Sequence, residues 1–174
     1  MATTLKMFFV VAVLFRVGTL IISFCHERLL KQAGAVEYGA GNSAVLACSH
    51  GVFYLAAFLE GSIKGAKLDL LAGVGLAIYV AGAIVLLTVM HLLGRFWTIK
   101  LLLARDHVLV THPFFKMVRH PSYYLNLLPE LVGLALAMHA FVTLIAGLSI
   151  YSIPLTIRIR EEEKIMKERF QTYS

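Results

Sequence analysis

From Leu5 to Cys25 the chain runs through apolar residues, with Lys6 at its edge and a single charge, Arg16, in its interior. As a helix, a run of about 20 such residues is long enough to cross the hydrocarbon of a bilayer. A secretory signal is the competing reading of an N-terminal apolar run. This one is longer than a usual signal core and is followed by Arg28 and Lys31, so it is read as a retained helix. Further apolar segments follow at about Ser43 to Leu59 and about Leu68 to Leu93. Two shorter ones run from Pro121 through Glu130 to Met138, and from beyond His139 to about Ile157. With 59% hydrophobic and 15% charged residues and a mean hydropathy of +0.80, the 174 residues are too apolar for a soluble domain of this size. The expected fold is all-α, a polytopic integral membrane protein with about five transmembrane helices. It forms one domain over 1–174, with three spans and their connectors in 1–93 and a core containing a helical hairpin in 94–174.

The net charge of +6 would raise nucleic acid as a partner for a soluble chain. Here the basic residues gather at the ends of apolar runs, so membrane topology explains them and no nucleic acid is expected. With five spans, twelve lysines and arginines fall on one side and three, Lys6, Lys64 and Lys67, on the other. The positive-inside rule then places the N-terminus outside, and the loop after Gly94 and the tail in the cytoplasm. Cys25 and Cys48 lie in apolar surroundings, which suggests neither a disulfide framework nor a thiol nucleophile.

The connectors carry their own signals. His26 to Asn42 is polar, with Gly34, Gly39 and Gly41 as helix breakers, and reads either as a cover over a site or as a plain connector. The short turn Gly61 to Lys67 predicts an antiparallel hairpin of the second and third spans. Gly73, Gly75, Ala77, Ala81, Gly82 and Ala83 let the third span approach a neighbour closely. Pro129 and Pro154 are expected to kink their helices. His50 reads as a satisfied histidine of the bundle. Two charges lie at membrane depth, Arg16 and Glu130. A carboxylate there must be paired or protonated and is a functional candidate by default. Glu130 either pairs with Arg16 or the backbone freed by Pro129, or orients and deprotonates a weakly acidic hydroxyl.

The stretch from His107 to Tyr124, HVLVTHPFFKMVRHPSYY, is polar and basic between apolar segments. Pro113 and Pro121 turn His112 and His120 away from helix, and Pro121 suits a helical first turn. His107 to Val110 reads extended, and Leu101 to Ala104 as a segment dipping into the interface. The helix start offers free N–H groups to an anionic group. Only Asp106 is a nearby acidic ligand and no HExxH spacing occurs, so the histidines read as hydrogen-bonding loop residues and no metal is expected. In the charged tail, Arg158 and Glu162 are four apart and share a helical face. Such an arginine can hold a carboxylate in two-point fashion, and such a glutamate an ammonium.

His107-Val-Leu-Val-Thr, then Val118-Arg-His-Pro-Ser-Tyr123, then a helical hairpin, then Arg158-Ile-Arg-Glu-Glu162-Glu163, resembles the isoprenylcysteine carboxyl methyltransferase family over about Gly94 to Phe170. The segment HERLLKQAGAVEYG looks like a bacterial branch, some of whose members are associated with O-methylation of long-chain polyketide pyrones or resorcinols. The resemblance implies a membrane enzyme using S-adenosylmethionine, in a bacterial cytoplasmic membrane with its site facing the cytoplasm. It places Lys100, His107, Val108, Leu109, Val110, Phe115, Arg119, His120, Pro121, Ser122, Tyr123 and Glu162 at the cofactor, and Arg158 at the substrate. Phe115 stands where the family usually has tyrosine, and Pro113 and Leu125 where it has glycine.

S-adenosylmethionine carries its methyl group already activated, so the protein's share is positioning and desolvation. Arg158 and Glu130 are the candidate catalytic residues. The expected partners are a lipophilic small molecule or lipidated substrate and the membrane lipids. A prenylcysteine-like carboxylate and the hydroxyl of a long-chain phenol or pyrone are both possible acceptors. A small transporter or assembly protein is the reading from another class; the large polar loop and tail and the lack of an internal repeat weigh against it.

Overall fold

Three long helices carry the apolar runs: α1 (Thr3–Gln32), α2 (Ala40–Ile63) and α3 (Leu70–Leu93). Each is long and apolar enough to cross a membrane, as the composition requires. The structure is a computed structural model and describes residues 1–103, 120 and 122–169. A π-helical turn, Ser122–Leu127, runs into α4 (Leu128–Ala137), and a second, Thr143–Gly147, runs into α5 (Leu148–Arg169). The helical class expected from the sequence is what forms.

Several boundaries differ from the expectation. α1 does not stop at Cys25. The following HERLLKQ favours helix, and Glu27 pairs with Lys31 one turn on at 2.7 Å, so the rod continues to Gln32 for about 45 Å in all. Gly34 and Gly39 do break helix, with φ of 83° and 57°, whereas Gly41 lies inside the first turn of α2. The connector between them holds a strand, β1 (Val36–Tyr38), paired antiparallel with β2 (Leu101–Leu103), Glu37 opposite Leu102. Leu101 to Leu103 is therefore a strand, a conformation the sequence did not announce. α5 unites the last apolar run and the charged tail in one helix through Pro154. Pro129 lies at the start of α4, directly after the π-helical turn, where the widened turn accommodates the missing N–H.

The packing partners are also different. α3 lies mainly against α4, and α2 against α5, rather than α2 against α3. Glycine explains the first contact. A Cβ on Gly75 would fall 2.4 Å from Ala137 N, and one on Gly133 would fall 2.5 Å from Tyr79 N, so the two backbones touch without side chains between them. Leu131, Leu134, Met138 and Tyr151 fill the core. Met7, Val11, Leu14 and Ile21 of α1 and Val52 and Leu55 of α2 point outward, as suits a lipid-facing surface.

The contacts sort into two ends. At one, Ala2 N donates to Ala66 O, Glu60 accepts from Val142 N and Thr143 N, and His139, in the left-handed conformation, meets Asp69 at 3.0 Å. At the other lie the β1–β2 pair, His120 and the charged half of α5. Asp69 also caps α3 by accepting from Ala72 N at 2.9 Å.

Candidate functional site

The site is built on α5. Arg158 and Glu162, one turn apart, face the same neighbour, Tyr123 on the π-helical turn. Arg158 Nε donates to Tyr123 Oη at 3.1 Å, and Tyr123 Oη donates to Glu162 Oε2 at 2.6 Å. Arg158 Nη1 donates to Ser43 Oγ of α2 at 2.8 Å, and Nη2 to the Ile99 carbonyl at 2.9 Å. Arg158 thus ties α5 to α2, to the π turn and to the segment before β2, and it is only 3% exposed.

His120 stands against the same carboxylates. Its Nδ1 is 3.5 Å from Glu162 Oε1 and its Nε2 is 3.3 Å from Glu163 Oε1, and its ring lies beside that of Tyr123 with centroids 5.8 Å apart. Burial would lower the pKa of His120, but Glu162 and Glu163 overcome it and hold the ring's pKa above its ordinary value. Burial would raise the pKa of Glu162. Hydrogen bonds from His120 and Tyr123, with the charge of Arg158, outweigh that and hold it below the ordinary carboxylate value. Glu162 remains 29% exposed, so an ionised carboxylate with spare acceptor capacity faces the outside of the cluster.

Four expected site residues, His120, Tyr123, Arg158 and Glu162, are therefore brought together, with Ser122 half-buried at the head of the same turn. Lys100 lies beside Ile99 but spends its charge on Glu27, at 2.6 Å, and on Glu37, at 3.6 Å. His107, Val108, Leu109, Val110, Phe115, Arg119 and Pro121 lie outside the described residues. Ser43, Ile99 and Glu163 belong to the cluster and were missed. Ser43 sits in an unremarkable small-residue helix, and Ile99 takes part through its backbone, so neither left a signal in the sequence.

Glu130 belongs to a different cluster. It is wholly buried, and both its oxygens are held by the Arg16 guanidinium, with Tyr54 Oη donating as well and Asn126 Nδ2 at 3.3 Å. The pairing with Arg16 that the sequence allowed is present. Tyr54 Oη also lies 3.0 Å from Tyr79 Oη. His50 departs from the expected satisfied histidine. Its ring packs 4.9 Å from that of Tyr54, but Nε2, 3.5 Å from Glu130, makes no hydrogen bond among the described residues.

A sequence model of the isoprenylcysteine carboxyl methyltransferase family matches residues 75–168. An uncharacterized protein of Haemophilus influenzae is 38% identical over 155 residues, which is 89% of this chain and 90% of that one. The uncharacterized protein YpbQ of Bacillus subtilis is 26% identical over 154 residues, covering 88% of this chain and 90% of its own. No solved structure matches the chain.

Proposed function

This chain belongs to the isoprenylcysteine carboxyl methyltransferase family, and from that premise we propose that it transfers a methyl group from S-adenosylmethionine to an oxygen of a lipophilic acceptor at the membrane surface. The observation that carries the reading is the continuous chain Glu162–Tyr123–Arg158. It joins a carboxylate suited to a cationic group with a buried guanidinium suited to an anionic one.

The residues present fit the cofactor. Glu162 is ionised and partly exposed, as the ammonium requires, and His120 lies between Glu162 and Glu163, which together draw its pKa upward. When bound, the cofactor would supply an activated methyl group on a cationic sulfur that departs as a neutral thioether, so an acceptor oxygen needs only a lone pair in line with it. The chain's share is to bind and to orient. Glu162 holds the ammonium, Tyr123 keeps Glu162 and Arg158 in register, and Arg158 stabilises negative charge on the acceptor oxygen. A carboxylate acceptor reaches the site already ionised, and a hydroxyl acceptor has its ionisation favoured by Arg158. The masking of Glu130 by Arg16, Tyr54 and Asn126 supports a clamp role, fixing α1 to α4, over the base role.

The five helices are proposed as five spans, with the N-terminus outside and the Arg158–Glu162 end in the cytoplasm. The first π turn and α4 contribute 6 and 10 residues, short of the ~20 that a ~30 Å hydrocarbon core asks for. The bilayer accommodates such a pair by local thinning at modest cost. The test is transfer of label from S-adenosylmethionine by the purified protein to a lipid extract, a prenylcysteine and an alkylpyrone. Label in any of them is the expected result; cofactor binding and transfer both absent would return the chain to the non-enzyme class.

A further inference from the structure

Between the end of α1, the start of α2 and the segment before β2 lies a cavity of about 350 Å³. Its walls include Leu20 and Phe24 of α1, Ala44 and Ala47 of α2, and Ile99, with Ser43 among them. Leu20, Phe24, Ala44 and Ala47 are exposed, so the cavity is open along its apolar wall between the two helices. That surface is the one an apolar molecule in the bilayer meets.

The polar chemistry of the cavity converges on one side chain. Arg158 is buried, and its three hydrogen bonds among the described residues go to neutral acceptors: Tyr123 Oη, Ser43 Oγ and the Ile99 carbonyl. A buried guanidinium among neutral partners favours an anion nearby. Two of those partners, Ser43 and Ile99, line the cavity, while Glu162 stands behind Tyr123. Ser43 is 4% exposed and its Oγ accepts from Arg158, but its hydroxyl proton has no acceptor among the described residues. The other charges at the cavity are matched with each other: Lys31 and Lys100 both hold Glu27, and Lys31 holds Glu37 at 2.5 Å. Among the described residues, the cavity therefore offers a buried hydroxyl polarised by a cation.

Resting on the methyltransferase reading, we propose that this cavity receives the head of the acceptor and that Ser43 holds its reacting oxygen. Arg158 polarises the Ser43 hydroxyl, and the hydroxyl donates to the acceptor oxygen, which leaves a second lone pair of that oxygen for the incoming methyl. The apolar remainder of the acceptor lies along Leu20, Phe24 and Ala47 and runs out between α1 and α2 into the lipid. Hydrogen bonding to an ionised oxygen lowers the pKa of the acceptor, so Ser43 fixes both where and at what pH the oxygen reacts.

The test uses the full-length protein in detergent, with labelled S-adenosylmethionine and, as methyl acceptor, a total lipid extract of source cells lacking the gene. Ser43→Ala, Ser43→Thr and Ala47→Leu are compared with wild type. For Ser43→Ala the expected result is an apparent acceptor KM raised at least about tenfold, as for loss of one hydrogen bond to an ionised group. Its S-adenosylmethionine Kd is unchanged and, for a hydroxyl acceptor, its kcat/KM profile moves toward alkaline pH. Ser43→Thr, which keeps the hydroxyl, recovers most of the loss. Ala47→Leu, which fills the cavity without touching Arg158, raises KM with the same unchanged Kd. Wild-type kinetics in Ser43→Ala and Ala47→Leu, with transfer intact, overturn this proposal alone. No cofactor binding and no transfer by the wild-type protein overturn the methyltransferase reading and this proposal with it.

Discussion

Tyr123 and Glu162 share a 2.6 Å hydrogen bond in which the phenol donates, and the same phenol oxygen accepts from Arg158 at 3.1 Å. The two charged residues of α5 thus meet through a neutral group. A direct ion pair would have spent both charges on each other; the bridge keeps them apart and fixes their spacing.

Tyr123→Phe tests that bridge. The substitution removes one acceptor from Arg158 and one donor from Glu162 and keeps the ring beside His120. A buried group left unpaired costs about 1–3 kcal/mol. The expected outcome is a lower melting temperature together with weaker S-adenosylmethionine binding, read by thermal denaturation and titration calorimetry in detergent. Unchanged values in both would show that the phenol only fills space.

The His120–Glu162–Glu163 cluster predicts a pH window. His120 has its pKa raised by folding from the ordinary 6.5, so its contribution to stability is complete below that value and is lost as pH rises through the folded one. Glu162 has its pKa lowered from 4.5, so its contribution is present above that value and is lost as pH falls through the folded one. Stability from this pair is greatest between the two ordinary values. Melting temperatures of the wild type measured against pH should peak there, and His120→Gln should flatten the alkaline limb and shrink the acid limb in part, because His120 is one of the groups that hold the Glu162 pKa down while Tyr123 and Arg158 remain. A wild-type alkaline limb that persists in His120→Gln would assign it to another group.

Glu130 separates clamp from base. Breaking a buried pair from one side leaves a charge without a partner and costs about 3–5 kcal/mol, whereas apolar replacement of both sides is close to neutral. Glu130→Gln should therefore lower the melting temperature and the folded yield, and Arg16→Met with Glu130→Leu should recover much of both. Whatever turnover Glu130→Gln retains should keep the wild-type pH profile. Recovery of turnover as pH rises would instead mark Glu130 as the base for a hydroxyl acceptor.

The topology predicts labelling from opposite sides. In a protein freed of Cys25 and Cys48, cysteines placed at Ser62, in the last turn of α2, and at Lys164, on the charged half of α5, should react with an impermeant thiol reagent from opposite faces of sealed vesicles. Both residues are exposed. Labelling of both from one face would rule out an odd number of crossings between them.

Much of the membrane frame was legible, because the hydrocarbon imposes length and composition on any helix that crosses it. Leu5 to Cys25 could hardly be anything else. The spacing of Arg158 and Glu162 was legible for the same kind of reason, since a helix turns once in about four residues. What the sequence hid was what depends on distant partners. β1 and β2 are three residues each, too short for a strand pattern to stand out; their pairing is set by the helices that bring Glu37 and Leu102 together. The choice of α4 over α2 as the neighbour of α3 turns on backbone contact at Gly75 and Gly133, and small residues announce close approach without naming the partner. Ser43 was hidden most completely: one serine among alanines and glycines near the start of α2 gains its meaning only from Arg158, on a helix from the far end of the chain.

Titration of the purified protein with S-adenosylmethionine, wild type against Glu162→Gln, tests the central claim most directly. Removing the charge while keeping the shape of the side chain should weaken binding at least about tenfold, as for a lost hydrogen bond between ionised groups. Equal affinity in the two proteins would contradict the assignment of Glu162 to the cofactor.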